Sequence, residues 1–108
     1  MTADQTRSAV LAEVARGDDA VEEAALLLTA RKLAGAVSRA YYGPFHHARA
    51  LLLTVGEEPR RHGGASRLLQ RDFVASGRLE PEVAALLSRL MTYRQDADYT
   101  AEYAVRFG

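Results

Sequence analysis

An arginine and a histidine on one predicted helix are the residues of this sequence best suited to phosphate chemistry. Arg39 is followed by six residues and then His46. On a helix this spacing brings both side chains within about 20° of one face, about 10.5 Å apart along the axis. A guanidinium offers a planar fork of donors to phosphate oxygens, and an imidazole exchanges a proton near neutral pH. The pair therefore predicts a site that could reach one phosphodiester.

The helices expected to position this pair follow from apolar residues at three- and four-residue steps. The first is predicted over residues 4–30, with a break or kink at residues 17–19, because Gly17 weakens a helix interior. The second is predicted over residues 31–55, with a kink at Pro44. Its apolar residues share one broad sector, and the opposite sector holds four polar side chains, Arg39, Tyr42, His46 and Arg49.

Two shorter helices complete the predicted bundle. The third is expected to follow a turn at Gly63 and Gly64 and to stop at Ser76 and Gly77. The fourth is expected to begin at Pro81 and could continue to residue 107. No segment has the period-two pattern of a strand, so the sequence predicts an all-α fold.

Composition bounds the possible functions. The 108 residues, 48% apolar and 26% charged, predict a single globular domain over residues 1–108. The absence of cysteine excludes disulfides, cysteine-bound zinc and thiolate catalysis. No apolar run approaches the ~20 residues needed to cross a membrane, and the N-terminus does not resemble a signal peptide. We therefore expect a soluble, cytoplasmic protein, and the sequence contains neither the Glu-x-x-His pair of a carboxylate-bound metal site nor a P-loop, so no metal or cofactor is predicted.

The net charge of zero conceals an uneven distribution. Residues 1–30 carry two basic and six acidic side chains, residues 31–78 carry nine and three, and residues 79–108 carry three and five. A basic middle between acidic ends suits an anionic ligand such as RNA or a nucleotide. The alternative is that the segments neutralise one another in the fold.

Residues 36–53 read AVSRAYYGPFHHARALLL. They resemble the second-helix signature of prokaryotic HEPN-domain proteins, which typically reads AxSRAYYAxFHAAxALL. Residues 58–63 with 73–74 resemble the family's connection and third helix, and residues 93–99, YRQDADY, resemble its R-x-x-A-D-Y element. Pro44 departs from the pattern, which usually has a small or flexible residue there. Relatives usually carry a further C-terminal helix, so uncovered apolar surface is expected here.

The resemblance implies an up-down bundle of four to five helices that forms a homodimer. It also implies a toxin of a toxin–antitoxin pair, whose partner is a minimal nucleotidyltransferase (MNT) antitoxin. Active members are metal-independent endoribonucleases, and their motif, Arg, four to six residues and His, faces its copy across the dimer interface. Arg39 and His46 match that motif, with His46 taking the 2′-OH proton and Arg39 stabilising the phosphorane.

A structural role for the same pair is the alternative. In well-described HEPN nucleases the motif lies on a later helix, where this chain has residues 94–99 and no histidine. Arg39 would then pair with Asp96 or Asp98, and His46 would be hydrogen-bonded within the bundle. The resulting second hypothesis is a non-catalytic module that binds nucleotide or docks to a nucleotidyltransferase.

Further residues are candidates for RNA or nucleotide binding. Arg94 either contacts phosphate near Arg39 or pairs with Asp98 along its helix. Arg49, Tyr42 and His62 are the other candidates. Tyr42 could instead serve packing, and His62 could be a turn residue. His47 is expected in the interior or at an interface, and the resemblance makes Tyr99 a possible site of modification by the antitoxin.

Overall fold

The computed structural model describes residues 1–99, apart from the side chains of His62, Asp98 and Tyr99. Within this part the chain is helical and contains no strand, which confirms the all-α prediction. The helices are α1 (Ala3–Thr29), α2 (Leu33–Leu53), α3 (His62–Leu69), a π-helical segment (Gln70–Val74) and α4 (Pro81–Tyr99). None of the helices in the described part is long and apolar enough to span a membrane.

Local hydrogen bonds define both ends of α1. Thr2 accepts a hydrogen bond at Oγ1 from the backbone N–H of Gln5, and the Gln5 side chain accepts one from the Thr2 N–H, at 3.1 and 2.9 Å. This capping box satisfies amide groups that the first turn leaves unpaired. At the other end Arg31 adopts a left-handed φ of 59°. The chain therefore reverses over residues 30–32 and returns as α2, antiparallel to α1.

The predicted break of α1 at Gly17 is wrong, because the helix runs unbroken through that position. Gly17 is buried where α1 crosses α2. A β-carbon there would lie 2.9 Å from the Gly43 carbonyl oxygen and would also collide with the His47 ring. The glycine thus serves the close approach of two helices, and this packing outweighs its low helix propensity.

The second helix is central and is buried on two sides. One side packs against α1 through small residues, including Gly43. The other side supplies Tyr41, Phe45 and Leu52 to the core, where they meet α3, the π-helical segment and α4. The helix is continuous through Pro44. The apolar sector predicted for α2 is therefore only partly used by this core, and the rest of it lines an open apolar groove that is described below.

Of the two remaining predicted helices, the third differs from the structure at its start, and the fourth begins where it was predicted. Gly63 and Gly64 lie inside the first turn of α3, so the turn predicted there is wrong. Helical structure ends at Val74 and Gly77 has a φ of 78°, which confirms the predicted stop. The start of α4 at Pro81 is also confirmed. The predicted continuation toward residue 107 lies outside the described residues.

An apolar groove lies between α2 and α4. Pro44 and Leu51 line a cavity of about 280 Å³ together with Val83 and Leu86 of α4. Leu51, Val83 and Leu86 are 40%, 50% and 44% exposed. Apolar surface of α2 and α4 is therefore open in the described part of the chain.

Tyr41 makes the core sensitive to alkali. Its ring is fully buried, and burial raises the pKa of the phenol above its ordinary value, although the Arg94 charge partly opposes the shift. The Tyr41 phenol of the unfolded chain therefore ionises at a lower pH than that of the folded protein. The stability that comes from burying the neutral phenol is complete below pH ~10 and is lost as the pH rises toward the pKa of the folded state. Denaturant unfolding across this range should show falling stability, less steeply in Tyr41→Phe. If every tyrosine of the folded protein ionised at the pH of an unperturbed phenol, about 10, this prediction would be contradicted.

Candidate functional site

Buried and half-buried polar side chains gather on the side of α2 that faces away from the groove. Four come from α2 itself, as the sequence predicted, and two come from the neighbouring helices. This polar cluster consists of Glu13, Arg39, Tyr42, His46, Arg49 and Arg94. It therefore joins α1, α2 and α4 around one surface.

Tyr42 is the centre of the cluster. The guanidinium carbon of Arg39 lies 4.9 Å from the centre of its ring, and that of Arg94 lies 5.5 Å away. Arg94 also donates a hydrogen bond from Nη1 to the Tyr42 hydroxyl, at 3.3 Å. The His46 ring centre is 6.3 Å from the Tyr42 ring centre. One phenol ring thus holds two cations through cation–π contact and stands beside the imidazole.

Glu13 is the carboxylate of the cluster and is only 5% exposed. Its Oε2 accepts a hydrogen bond of 2.7 Å from Nδ1 of His46. Its Oε1 accepts one of 3.1 Å from Arg16, and Nε of Arg49 lies 3.9 Å from the same oxygen. A buried carboxylate is costly unless it is paired, and these three partners offset that cost.

Sequence reasoning did not identify Glu13 as a site residue. In the acidic first segment it resembles one of several solvated charges. One signal was available, because Glu13 shares the buried face of α1 with Gly17 and Ala20. A single charge on a face of small residues points to a partner on the helix packed against it.

The structural interpretation expected Arg39 to pair with Asp96 or Asp98 and His46 to be hydrogen-bonded within the bundle. Among the described side chains Arg39 forms no ion pair and so does not pair with Asp96, and the side chain of Asp98, the other expected partner, lies outside this set. His46 is hydrogen-bonded within the bundle, as that interpretation expected. It nevertheless keeps 22% of its side chain exposed. Arg39 is therefore partly exposed, and no carboxylate of the described side chains pairs with its charge.

His47 lies on the other side of α2. Its Nε2 is 2.9 Å from Oδ1 of Asp18, and the two side chains are 40% and 68% exposed. The ring also lines the apolar groove beside Pro44 and Leu51. Successive histidines of α2 thus bond two different carboxylates of α1, and only His46 belongs to the polar cluster.

Two predicted site residues cannot be placed against this cluster, because the side chains of His62 and Tyr99 lie outside the described set. The alternative pairing of Arg94 with Asp98 is outside it for the same reason. Arg94 itself lies within the cluster, next to the ring that also contacts Arg39, as its functional interpretation expected.

Comparison with known proteins places the sequence of this chain in a family. A family model described as "HEPN domain" matches residues 12–105. A Methanocaldococcus jannaschii protein named "putative toxin" is 31% identical over 96 residues, which cover 89% of this chain and 72% of that protein. A second protein of that organism with the same description is 35% identical over 71 residues, or 66% of this chain and 48% of that protein.

A Pyrococcus horikoshii protein named "UPF0332 protein" is 44% identical over 71 residues, or 66% of this chain and half of its own length. The match thus spans about half of two of these relatives. No solved structure matches the chain.

Proposed function

The chain belongs to the HEPN domain family, and from this premise we propose that it is a toxin-like, metal-independent endoribonuclease. Arg39 and His46 are the working pair. One observation carries the proposal: on one side of α2 a half-buried imidazole and the guanidiniums of Arg39 and Arg94 gather around Tyr42, and a third guanidinium, that of Arg49, lies over the neighbouring Phe45 ring. The relatives named as toxins support the biological role.

The proposed reaction is an in-line attack by the ribose 2′-oxygen on the adjacent phosphorus. His46 takes the 2′-OH proton, the 2′-oxygen bonds to phosphorus, and the bond to the 5′-oxygen breaks. The leaving oxygen takes a proton from a second copy of His46 or from water. The products are a 2′,3′-cyclic phosphate and a 5′-hydroxyl. Arg39 and Arg94 stabilise the added negative charge on the phosphorane.

The remaining residues and partners extend this proposal. Arg49, Tyr42 and His62 contact RNA or nucleotide beside the working pair. The protein acts in the cytoplasm as a homodimer that brings two copies of the pair together, restrained by an MNT-type nucleotidyltransferase antitoxin. Tyr99 is the residue that such an antitoxin would modify. The apolar groove, which the described chain leaves uncovered, supports binding of a partner.

Incubation of the protein with RNA in EDTA tests the activity. We expect cleavage that persists without divalent metal and leaves 2′,3′-cyclic phosphate and 5′-hydroxyl ends. His46→Ala protein purified in parallel reveals contaminating nuclease. Absence of cleavage across varied RNA substrates, or cleavage only with added metal, would contradict the proposal.

A non-catalytic module is the second candidate. Both histidines of α2 are bonded to carboxylates of α1, as purely structural residues would be. In this case the polar cluster binds a nucleotide, or the protein docks to a nucleotidyltransferase, without hydrolysis. Saturable nucleotide binding or co-purification with a nucleotidyltransferase, together with intact RNA, would favour this candidate.

A further inference from the structure

The buried contact between Glu13 and His46 has a chemical consequence for the site. We propose that Glu13 is a positioning residue that keeps the proton of neutral His46 on Nδ1 and leaves Nε2 as the nitrogen that accepts the 2′-OH proton. The catalytic half of this proposal rests on the proposed function. The tautomer half is a property of the protein alone and is measurable without substrate.

The assignment of the proton follows from the donor and acceptor inventory. A carboxylate has no proton to donate, so the 2.7 Å contact requires Nδ1 to carry one. The neutral imidazole has one N–H, so its Nε2 then holds a lone pair. The Glu13 side chain is only 6% exposed, so water competes poorly for its oxygens. A charge-assisted hydrogen bond shielded in this way holds the ring orientation more firmly than an exposed one.

Glu13 is itself held in place. Arg16, one turn later on α1, donates to Oε1 at 3.1 Å, which leaves Oε2 for the imidazole. Gly17 lies four residues after Glu13, and its contact with Gly43 sets the separation of α1 and α2 close to the pair. The carboxylate therefore has both a second anchor and a backbone fixed by helix packing.

The same contact persists through the proton transfer. When Nε2 takes the 2′-OH proton, the imidazolium keeps its Nδ1–H bonded to Glu13, and the carboxylate faces the new positive charge. Glu13 takes no proton in this step. The other charged groups near the contact of Glu13 with His46 are Arg16 of α1 and Arg39 and Arg49 of α2. Glu13 is the acidic residue of the polar cluster.

The chain contains a matched pair for comparison. His47 and Asp18 join the same two helices with a contact of 2.9 Å, but this contact uses Nε2 and is largely exposed. It lies outside the polar cluster. Asp18→Asn therefore removes the charge from a helix–helix contact of similar length but greater exposure, and it leaves the geometry of His46 intact.

Nitrogen NMR of the histidine rings tests the tautomer. In the wild-type protein at a pH where His46 is neutral, we expect the proton on Nδ1. In Glu13→Ala we expect it on Nε2, the tautomer that an unconstrained histidine side chain prefers in water. A wild-type ring protonated on Nε2, or a Glu13→Ala ring that remains protonated on Nδ1, would overturn the proposal. The wild-type spectrum decides the question even if the variant does not fold.

Cleavage kinetics test the catalytic consequence. Glu13→Gln keeps the shape and an acceptor oxygen but removes the charge, so we expect kcat to fall about 10- to 100-fold with KM within about twofold of wild type. Asp18→Asn should change neither constant by more than about twofold. Equal losses in the two variants, or no loss in Glu13→Gln, would reduce Glu13 to a structural clamp and overturn its positioning role. If wild-type protein cleaves no RNA, the proposed function fails, and the tautomer measurement alone decides the assignment of Glu13.

Discussion

His46→Ala is expected to lower the single-turnover rate of RNA cleavage in EDTA by about 10²- to 10⁴-fold. The substitution removes the group that takes the 2′-OH proton, whereas the guanidiniums that bind phosphate remain. Substrate affinity, measured by filter binding, should therefore change much less than the rate. Arg39→Ala is expected to lower the rate by about 10²-fold through loss of charge stabilisation in the phosphorane.

His47→Ala is the matched control for His46→Ala. Both histidines lie on α2, and both form a hydrogen bond to a carboxylate of α1. Each alanine variant therefore removes one helix–helix hydrogen bond, but only His46 lies in the polar cluster. His47→Ala should cleave RNA at close to the wild-type rate. Similar losses in both variants would assign the effect to α1–α2 packing, and undiminished cleavage by His46→Ala would exclude a catalytic role for that ring.

Local sequence patterns predict most of the helices of this protein. Apolar periodicity gave α1 and α2 to within about two residues at their ends, and a proline at a first helical position gave the start of α4. The same local reasoning failed at Gly17, Gly63 and Gly64. Glycine has a low helix propensity wherever it stands, so propensity cannot distinguish a helix end from a close helix crossing or from an uncrowded first turn.

The polar side of α2 was predictable because it depends on one angle, about 100° per residue. Arg39, Tyr42 and His46 share a helix face whatever the tertiary structure, and the fold keeps them together. Which partners complete that face depends on the packing of other helices. The expectation that Arg39 pairs with Asp96 or Asp98 used only charge and family position, whereas the structure places the guanidinium over Tyr42 and not against Asp96.

Glu13 shows what local patterns omit. It lies 33 residues from His46 in the sequence, and its role depends on the register in which α1 packs against α2. That register is set by the contact of Gly17 with Gly43 and by no local preference of Glu13. A carboxylate among five other acidic residues in the first thirty is inconspicuous until that packing is known.

This dependence makes Gly17→Ala the most informative stability variant. A β-carbon at position 17 would lie 2.9 Å from the backbone carbonyl oxygen of Gly43, which cannot move without shifting α2, and would also meet the His47 ring. Overpacking of this kind costs about 1–3 kcal/mol, and the helix propensity of alanine returns at most about 1 kcal/mol. We expect a net loss of about 1–2 kcal/mol in the free energy of unfolding, measured by urea denaturation at an unchanged m-value.

Gly63→Ala separates the gain in helix propensity from the cost of overpacking, the two contributions to the effect of Gly17→Ala. Gly63 is also helical, but a β-carbon there meets no atom within 4 Å in the described part of the chain. The substitution should therefore stabilise the protein by up to about 1 kcal/mol. A Gly17→Ala variant that gains stability as Gly63→Ala does would mean that the two helices do not cross as closely as described. In the Gly17→Ala background, His47→Ala should recover part of the loss, because it removes the ring and leaves only the contact with the Gly43 carbonyl oxygen.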